Sequence, residues 1–157
     1  MIQYENLIEI NQPRDLVFDF LALPSNWAKY LPTTIEVTPA INQNFNVGDQ
    51  VTETLNVLGS KTYIEWTCKV NDGHSFYEIE GISDKHGGSK TTLSYEFFSD
   101  NGVTRVKRVI RHRFNSLRMR VFNSIWKLYF IYEAKGAFRR AKQLLELASG
   151  DCCNKET

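Results

Sequence analysis

The chain has 157 residues, 42% of them hydrophobic and 13% aromatic, with a formal net charge of +1. That length is one globular domain with room for a single core, and no uninterrupted apolar run approaches the ~20 residues of a membrane-spanning helix. The near-zero total conceals a strong asymmetry: residues 1–102 hold 6 Lys/Arg against 14 Asp/Glu, net −8, whereas residues 103–142 hold 12 against Glu133 alone, net +11.

Residues 2–10 alternate Ile2, Tyr4, Ile8 and Ile10 against Gln3, Glu5 and Glu9, the period of two of a half-buried strand. This opening has no basic stretch followed by an apolar one, so it reads as a first strand and not a secretion signal, which points to the cytoplasm. Pro13 and Asp15 then fit the first turn of a short helix carrying Leu16, Val17, Phe20 and Leu21. Pro24 breaks it, and 25–31 makes a second short helical piece that Pro32 ends.

From Thr33 the pattern is β for about eighty residues, with strands expected near 33–41, 49–58, 61–71, 75–83, 90–99 and 103–114. Glycine-bearing breaks at Gly48, Gly59, Gly73, Gly87-Gly88 and Gly102 are short enough to imply antiparallel pairing between neighbours. With the first strand this makes seven. Alternation predicts the inward-facing sets Ile35 and Val37; Val51, Glu53, Leu55 and Val57; Ile64, Trp66, Cys68 and Val70; Tyr77 and Ile79; Leu93, Tyr95 and Phe97; and Val106, Arg108, Ile110, His112 and Phe114.

The stretch from Leu117 to Ala148 reads as one long C-terminal helix around which the sheet is built. Met119, Phe122, Trp126, Phe130, Ala134, Ala137, Ala141, Leu144 and Ala148 recur at about 3.6 residues per step. The row is bulky from Phe122 to Phe130 and slim from Ala134 to Ala141. Gly136 interrupts it and is expected to mark a close contact or a bend. Gly150 falls where a helix-ending glycine belongs, and 150–157 reads as a flexible tail.

The order of elements, with Ile8-Glu9-Ile10-Asn11-Gln12-Pro13-Arg14-Asp15-Leu16-Val17-Phe18, the Pro24 to Pro32 segment containing Trp27 and Leu31, Val47-Gly48-Asp49 and the terminal helix, resembles the START-like, polyketide cyclase/dehydrase and lipid-transport superfamily, also called SRPBCC or helix-grip proteins. The resemblance spans nearly the whole chain. It implies an α+β helix-grip fold over 1–149: a seven-stranded curved antiparallel sheet around the long helix, two short helices after the first strand, and an apolar cavity between sheet and helix. It further implies binding of a small hydrophobic or amphipathic ligand such as a lipid, polyketide or quinone. Only some members of the superfamily are enzymes, and one fold serves many functions.

Trp27, Tyr30, Leu55, Trp66, Tyr77, Tyr95, Phe97, Ile110, Trp126, Tyr129 and Phe130 are the candidate ligand-binding residues, each having plain core packing as its alternative. Glu53, Arg108 and His112 are polar on an otherwise apolar inward face. Such groups need a partner or a ligand. They can orient a polar head group or act in acid–base chemistry as in a cyclase or dehydratase, or they can close an internal salt bridge. Whether the chain is an enzyme stays open at this level. No cofactor is implied: there is no phosphate-cradling glycine loop or nucleophile elbow. His74 and His86 lack metal-ligand company, and Cys68, Cys152 and Cys153 form neither a disulfide framework nor a metal-binding spacing.

The opposite parity of the last strand, Arg105, Lys107, Arg111 and Arg113, continued by Arg118 and Arg120, is an outward basic row facing Glu5, Glu9 and Glu96, which predicts cross-strand pairing. Lys127, Lys135, Arg139 and Lys142, with Leu128, Ile131 and Phe138 among them, suit an anionic membrane surface or a second copy of the chain. Charge alone is not nucleic-acid readout.

Overall fold

The computed structural model describes residues 1–43, 45–83 and 88–150. Its elements run β1 (Ile2–Ile10), α1 (Arg14–Ala22), α2 (Pro24–Tyr30), β2 (Thr34–Thr38), β3 (Gln50–Val57), β4 (Ser60–Asn71), β5 (Phe76–Ser83), β6 (Ser89–Asp100), β7 (Val103–Phe114), α3 (Leu117–Val121) and α4 (Asn123–Gly150). His86, Gly87, Cys152, Cys153 and the tail beyond residue 150 lie outside the described residues. Among the described residues no helix is long and apolar enough to cross a membrane.

All seven strands form one sheet in the order β1-β7-β6-β5-β4-β3-β2, each neighbour antiparallel. Strands β2 to β7 are a meander, and β1 returns to close the other edge against β7. Two of the hairpins turn on a pair of residues with positive φ, Leu58-Gly59 (50° and 82°) and Asn101-Gly102 (49° and 81°). That pairing matches the twist of the flanking strands.

The alternation holds along most strands and slips at two bulges. The register shifts between Thr34 and Glu36 and again between Cys68 and Val70. A bulge inserts one residue and reverses the side-chain parity beyond it. Ile35 and Val70, expected inward, are therefore exposed.

The C-terminal helix is not continuous from Leu117. A turn at Phe122 separates α3 from α4, and the Phe122 side chain is half exposed, as is Leu144 farther along. The buried stripe of α4 is instead Glu133, Ala134, Ala137, Phe138 and Ala141. Phe138, expected on the outer face, is 2% exposed because a core-facing stripe is wider than a single row and takes in the position next to Ala137. The three alanines have no exposed surface, so the slim half of the helix lies flat on its neighbours. This half is tied to the end of β1: Gln12 Nε2 donates to the Leu145 carbonyl at 3.0 Å, the Asn11 amide to Glu146 Oε1 at 2.9 Å, and Lys142 Nζ to the Glu9 carbonyl at 2.9 Å. Gly136 does not mark a tight contact. The helix runs through it, and an added Cβ would meet only Pro32 Cγ at 3.8 Å.

Two members of the outward basic row, Arg105 and Lys107, pair with acids across strands. Arg105 meets Glu9 at 2.9 Å and Lys107 meets Glu96 at 3.7 Å, whereas Glu5 stands opposite Val109.

Candidate ligand-binding cavity

Between the sheet and the bulky half of α4 lies a cavity of about 130 Å³. Strand β3 contributes Glu53, Leu55 and Val57, β4 contributes Thr62, Ile64 and Trp66, and β6 contributes Ser89, Thr91 and Leu93. Arg108, Ile110, His112 and Phe114 line it from β7, and Trp126, Tyr129, Phe130 and Glu133 cover it from α4. Leu31, Thr33 and Ser83 complete the wall. The strand residues arrive there because side chains two apart on a strand share a face. The four helix residues recur at three and four, which keeps them on one side of α4.

Of the expected ligand-binding residues, Leu55, Trp66, Ile110, Trp126, Tyr129 and Phe130 line this cavity. The other five sit in the packed core. Trp27, Tyr30, Tyr77 and Tyr95 surround a gap of only about 10 Å³, room for one water at most. Phe97 packs against Phe18 with ring centroids 5.0 Å apart. All three polar candidates, Glu53, Arg108 and His112, are at the cavity wall and are 2%, 4% and 6% exposed.

Glu53 accepts a hydrogen bond from the Thr34 hydroxyl and another from Trp66 Nε1 at 2.7 Å. Burial pushes its carboxyl up to about 7, against the opposing pull of those two bonds. It can therefore take or release a proton near neutrality. Arg108 reaches Glu133 on the facing helix, Nη2 to Oε2 at 3.7 Å, and its guanidinium lies 5.8 Å from the Tyr95 ring centroid. Burial also raises the Glu133 carboxyl, with Arg108 pulling the other way. His112 is pushed down to about 4 by burial, so its ring is neutral over the physiological range. Its Nδ1 is 2.7 Å from Thr91 Oγ1, and the ring packs edge-on against Phe114 at 4.3 Å.

Four buried polar atoms of the lining have no hydrogen-bond partner among the described residues: Arg108 Nε, Arg108 Nη1, His112 Nε2 and Ser83 Oγ. Buried polar atoms are nearly always paired, and each orphan costs about 1–3 kcal/mol. Here all four belong to residues that line one largely apolar cavity. Glu133 is an ionisable cavity residue that sequence reasoning passed over. Its signal was present, since it is the single acid in the basic run and falls three residues after Phe130 and four before Ala137.

The fold is shared with solved structures of low sequence similarity. A protein from Chromobacterium violaceum, CV1439, superposes with a TM-score of 0.73 at 12% identity, covering 92% of this chain and 96% of the other. A START superfamily protein from Mycobacterium smegmatis gives a TM-score of 0.70 at 7% identity over 93% of this chain and 98% of its own. Ara h 8.0201 gives 0.65 at 12% identity over 92% and 97%. No protein-family model matches the chain, nor does any curated protein. The chain has the START-like, SRPBCC helix-grip fold.

Proposed function

We propose that this protein binds a small hydrophobic or amphipathic molecule, such as a lipid, polyketide or quinone, between its sheet and α4, for transport or sequestration. The observation that carries this reading is an apolar-walled cavity of about 130 Å³ whose buried polar atoms lack partners. An engineered apolar cavity of ~150 Å³ suffices for benzene, so this one holds a ring or a chain segment, with the half-buried Trp126, Tyr129 and Phe130 over the remainder. Leu55, Trp66, Ile110 and those three aromatics supply the apolar contacts in this reading. Native mass spectrometry of protein purified gently from its own cells tests it. A retained small molecule that denaturation releases is the expected result. Protein that carries none and binds no apolar probe added in solution overturns it.

A second reading rests on a different observation. Leu117, Val121, Ile125, Leu128 and Tyr132 are exposed along α3 and the start of α4, with Arg120 and Lys127 exposed among them. Residues 103–132 contain no acid. Apolar side chains set among cations suit the interface of an anionic bilayer. Flotation with anionic and with neutral vesicles decides this: the expected binding requires anionic lipid and weakens with salt, and equal recovery with both vesicle types removes the reading.

A further inference from the structure

Resting on the ligand-binding reading above, we infer that the ligand's polar group is a neutral carbonyl received by Arg108, and that the cavity discriminates against carboxylates although an arginine lines it.

The inference comes from counting the charges and donors around Arg108. Two carboxylates line the same cavity as this one cation: Glu133, whose Oε2 is 3.7 Å from Nη2, and Glu53 on β3. The 3.7 Å separation is beyond hydrogen-bond length, so Glu133 sets a carboxyl group beside the guanidinium without using the hydrogens on Nε and Nη1. Nε and Nη1 are buried and have no acceptor. Arginine nitrogens only donate, so what they lack is an acceptor and not a further negative charge. With both acids ionised, a ligand carboxylate would be the third anion around one cation in a desolvated site, where an uncompensated charge is expensive. A ketone or ester oxygen accepts the N–H groups and adds no charge.

The surroundings leave the two acids as the groups that decide the sign. Tyr30 and Tyr95, the other titratable side chains interacting with Arg108, are held neutral by burial. Tyr129 on α4 is pushed up to about 12 by burial. Glu53 titrates near 7, so the exclusion of anions is strongest above neutrality. His112 lies four residues farther along β7, roughly 13 Å away at the usual rise per residue, with Ile110 between them. Its neutral ring adds no charge at the other end.

Three probes of one shape test this by calorimetry at pH 8: 2-acetylnaphthalene, 2-naphthoate and 2-ethylnaphthalene. The ketone is expected to bind about tenfold tighter than the ethyl compound and the carboxylate weakest of the three. In Glu53→Gln, which keeps the volume and an accepting oxygen, the carboxylate gains about tenfold relative to the ketone. In the double variant Arg108→Leu, Glu133→Leu, which removes both charges together, the ketone and ethyl compounds bind alike. Tightest binding of the carboxylate by the native chain, equal binding of all three, or a ketone preference that survives the double variant overturns the inference while leaving ligand binding intact. Failure of all three probes to bind removes both. Should the double variant not fold, the native ranking and Glu53→Gln still decide.

Discussion

Gly81 on β5 stands directly opposite Trp66 on β4, and a Cβ at Gly81 would lie 2.6 Å from Trp66 Cε3 and 2.7 Å from Ile64 Cγ2. The indole thus occupies the space that any side chain at Gly81 would need, and from there Trp66 Nε1 reaches Glu53. Gly81→Ala is expected to cost about 1–3 kcal/mol through overpacking and to disturb the hydrogen bond to Glu53. Denaturant unfolding measures the first effect and the shift of Trp66 emission the second.

Gly136 supplies the opposite case. The space beside it is open, with Pro32 Cγ at ordinary contact distance, and glycine inside a helix costs about 1 kcal/mol relative to alanine. Gly136→Ala is expected to stabilise the protein by up to that amount. A loss of stability would mean that the space beside Gly136 is not open.

The Arg108 and Glu133 pair gives a non-additive prediction. Removing one partner of a buried ion pair strands a charge and costs about 3–5 kcal/mol, whereas replacing both with apolar groups is often neutral or better. Glu133→Leu alone should therefore be strongly destabilising, and adding Arg108→Leu should recover most of the loss. Unfolding free energies for both single variants and the double close the thermodynamic cycle.

Stability should also fall as pH rises through neutrality. Glu53 has a folded value of about 7 against the ordinary carboxyl value of 4.5. The folded state therefore holds its proton more tightly than the unfolded state. That contribution is complete below 4.5 and is lost as pH rises through 7, up to roughly 3 kcal/mol at ~1.4 kcal/mol per unit. His112 works in the other direction, from 6.5 down to about 4, so its contribution is present above 6.5 and is lost as pH falls through 4. The two offset one another between about 4.5 and 6.5. Between pH 6.5 and 8 His112 no longer offsets the decline due to Glu53, and Glu53→Gln should reduce the slope there. Chemical denaturation at half-unit steps of pH measures the slope in both proteins.

The outer and inner rows of α4 separate by mutation. Phe138→Ala is expected to cost about 3–5 kcal/mol, as for other buried aromatics, while Leu128→Ala should change stability by no more than about 0.5 kcal/mol. Comparable losses at both positions would place Leu128 against a surface that the chain itself supplies.

These contrasts also mark what could be read from the residues alone. The inward face of β7 was legible because Val106, Arg108, Ile110, His112 and Phe114 alternate without a bulge, which puts two polar and three apolar side chains on one face. Ile35 and Val70 were not, since a bulge leaves no mark in the pattern that precedes it. The division of the C-terminal helix at Phe122 was hidden for a similar reason: the apolar spacing continues across the turn and only the backbone departs. Glu133 was hidden by its type, because an acid on a basic helix reads as a solvated side chain until the strand carrying Arg108 is placed opposite. Which aromatic residues pack as core and which face open space depends on volumes summed over several elements. No single stretch of sequence contains that sum.

The pairing of β1 with β7 has a consequence for how the molecule is made. Strands β3 and β4, and likewise β6 and β7, meet across two-residue turns, so much of the meander can form hairpin by hairpin. Ile2 must instead find His112, and Ile10 must find Thr104. Contacts so far apart in the chain form slowly. Since Asn11 and Gln12, just past β1, also anchor the far half of α4, one late event joins the sheet edge and seats the helix over the cavity. Until then the future binding space is an open trough, and a ligand present during folding can enter it without passing any gate.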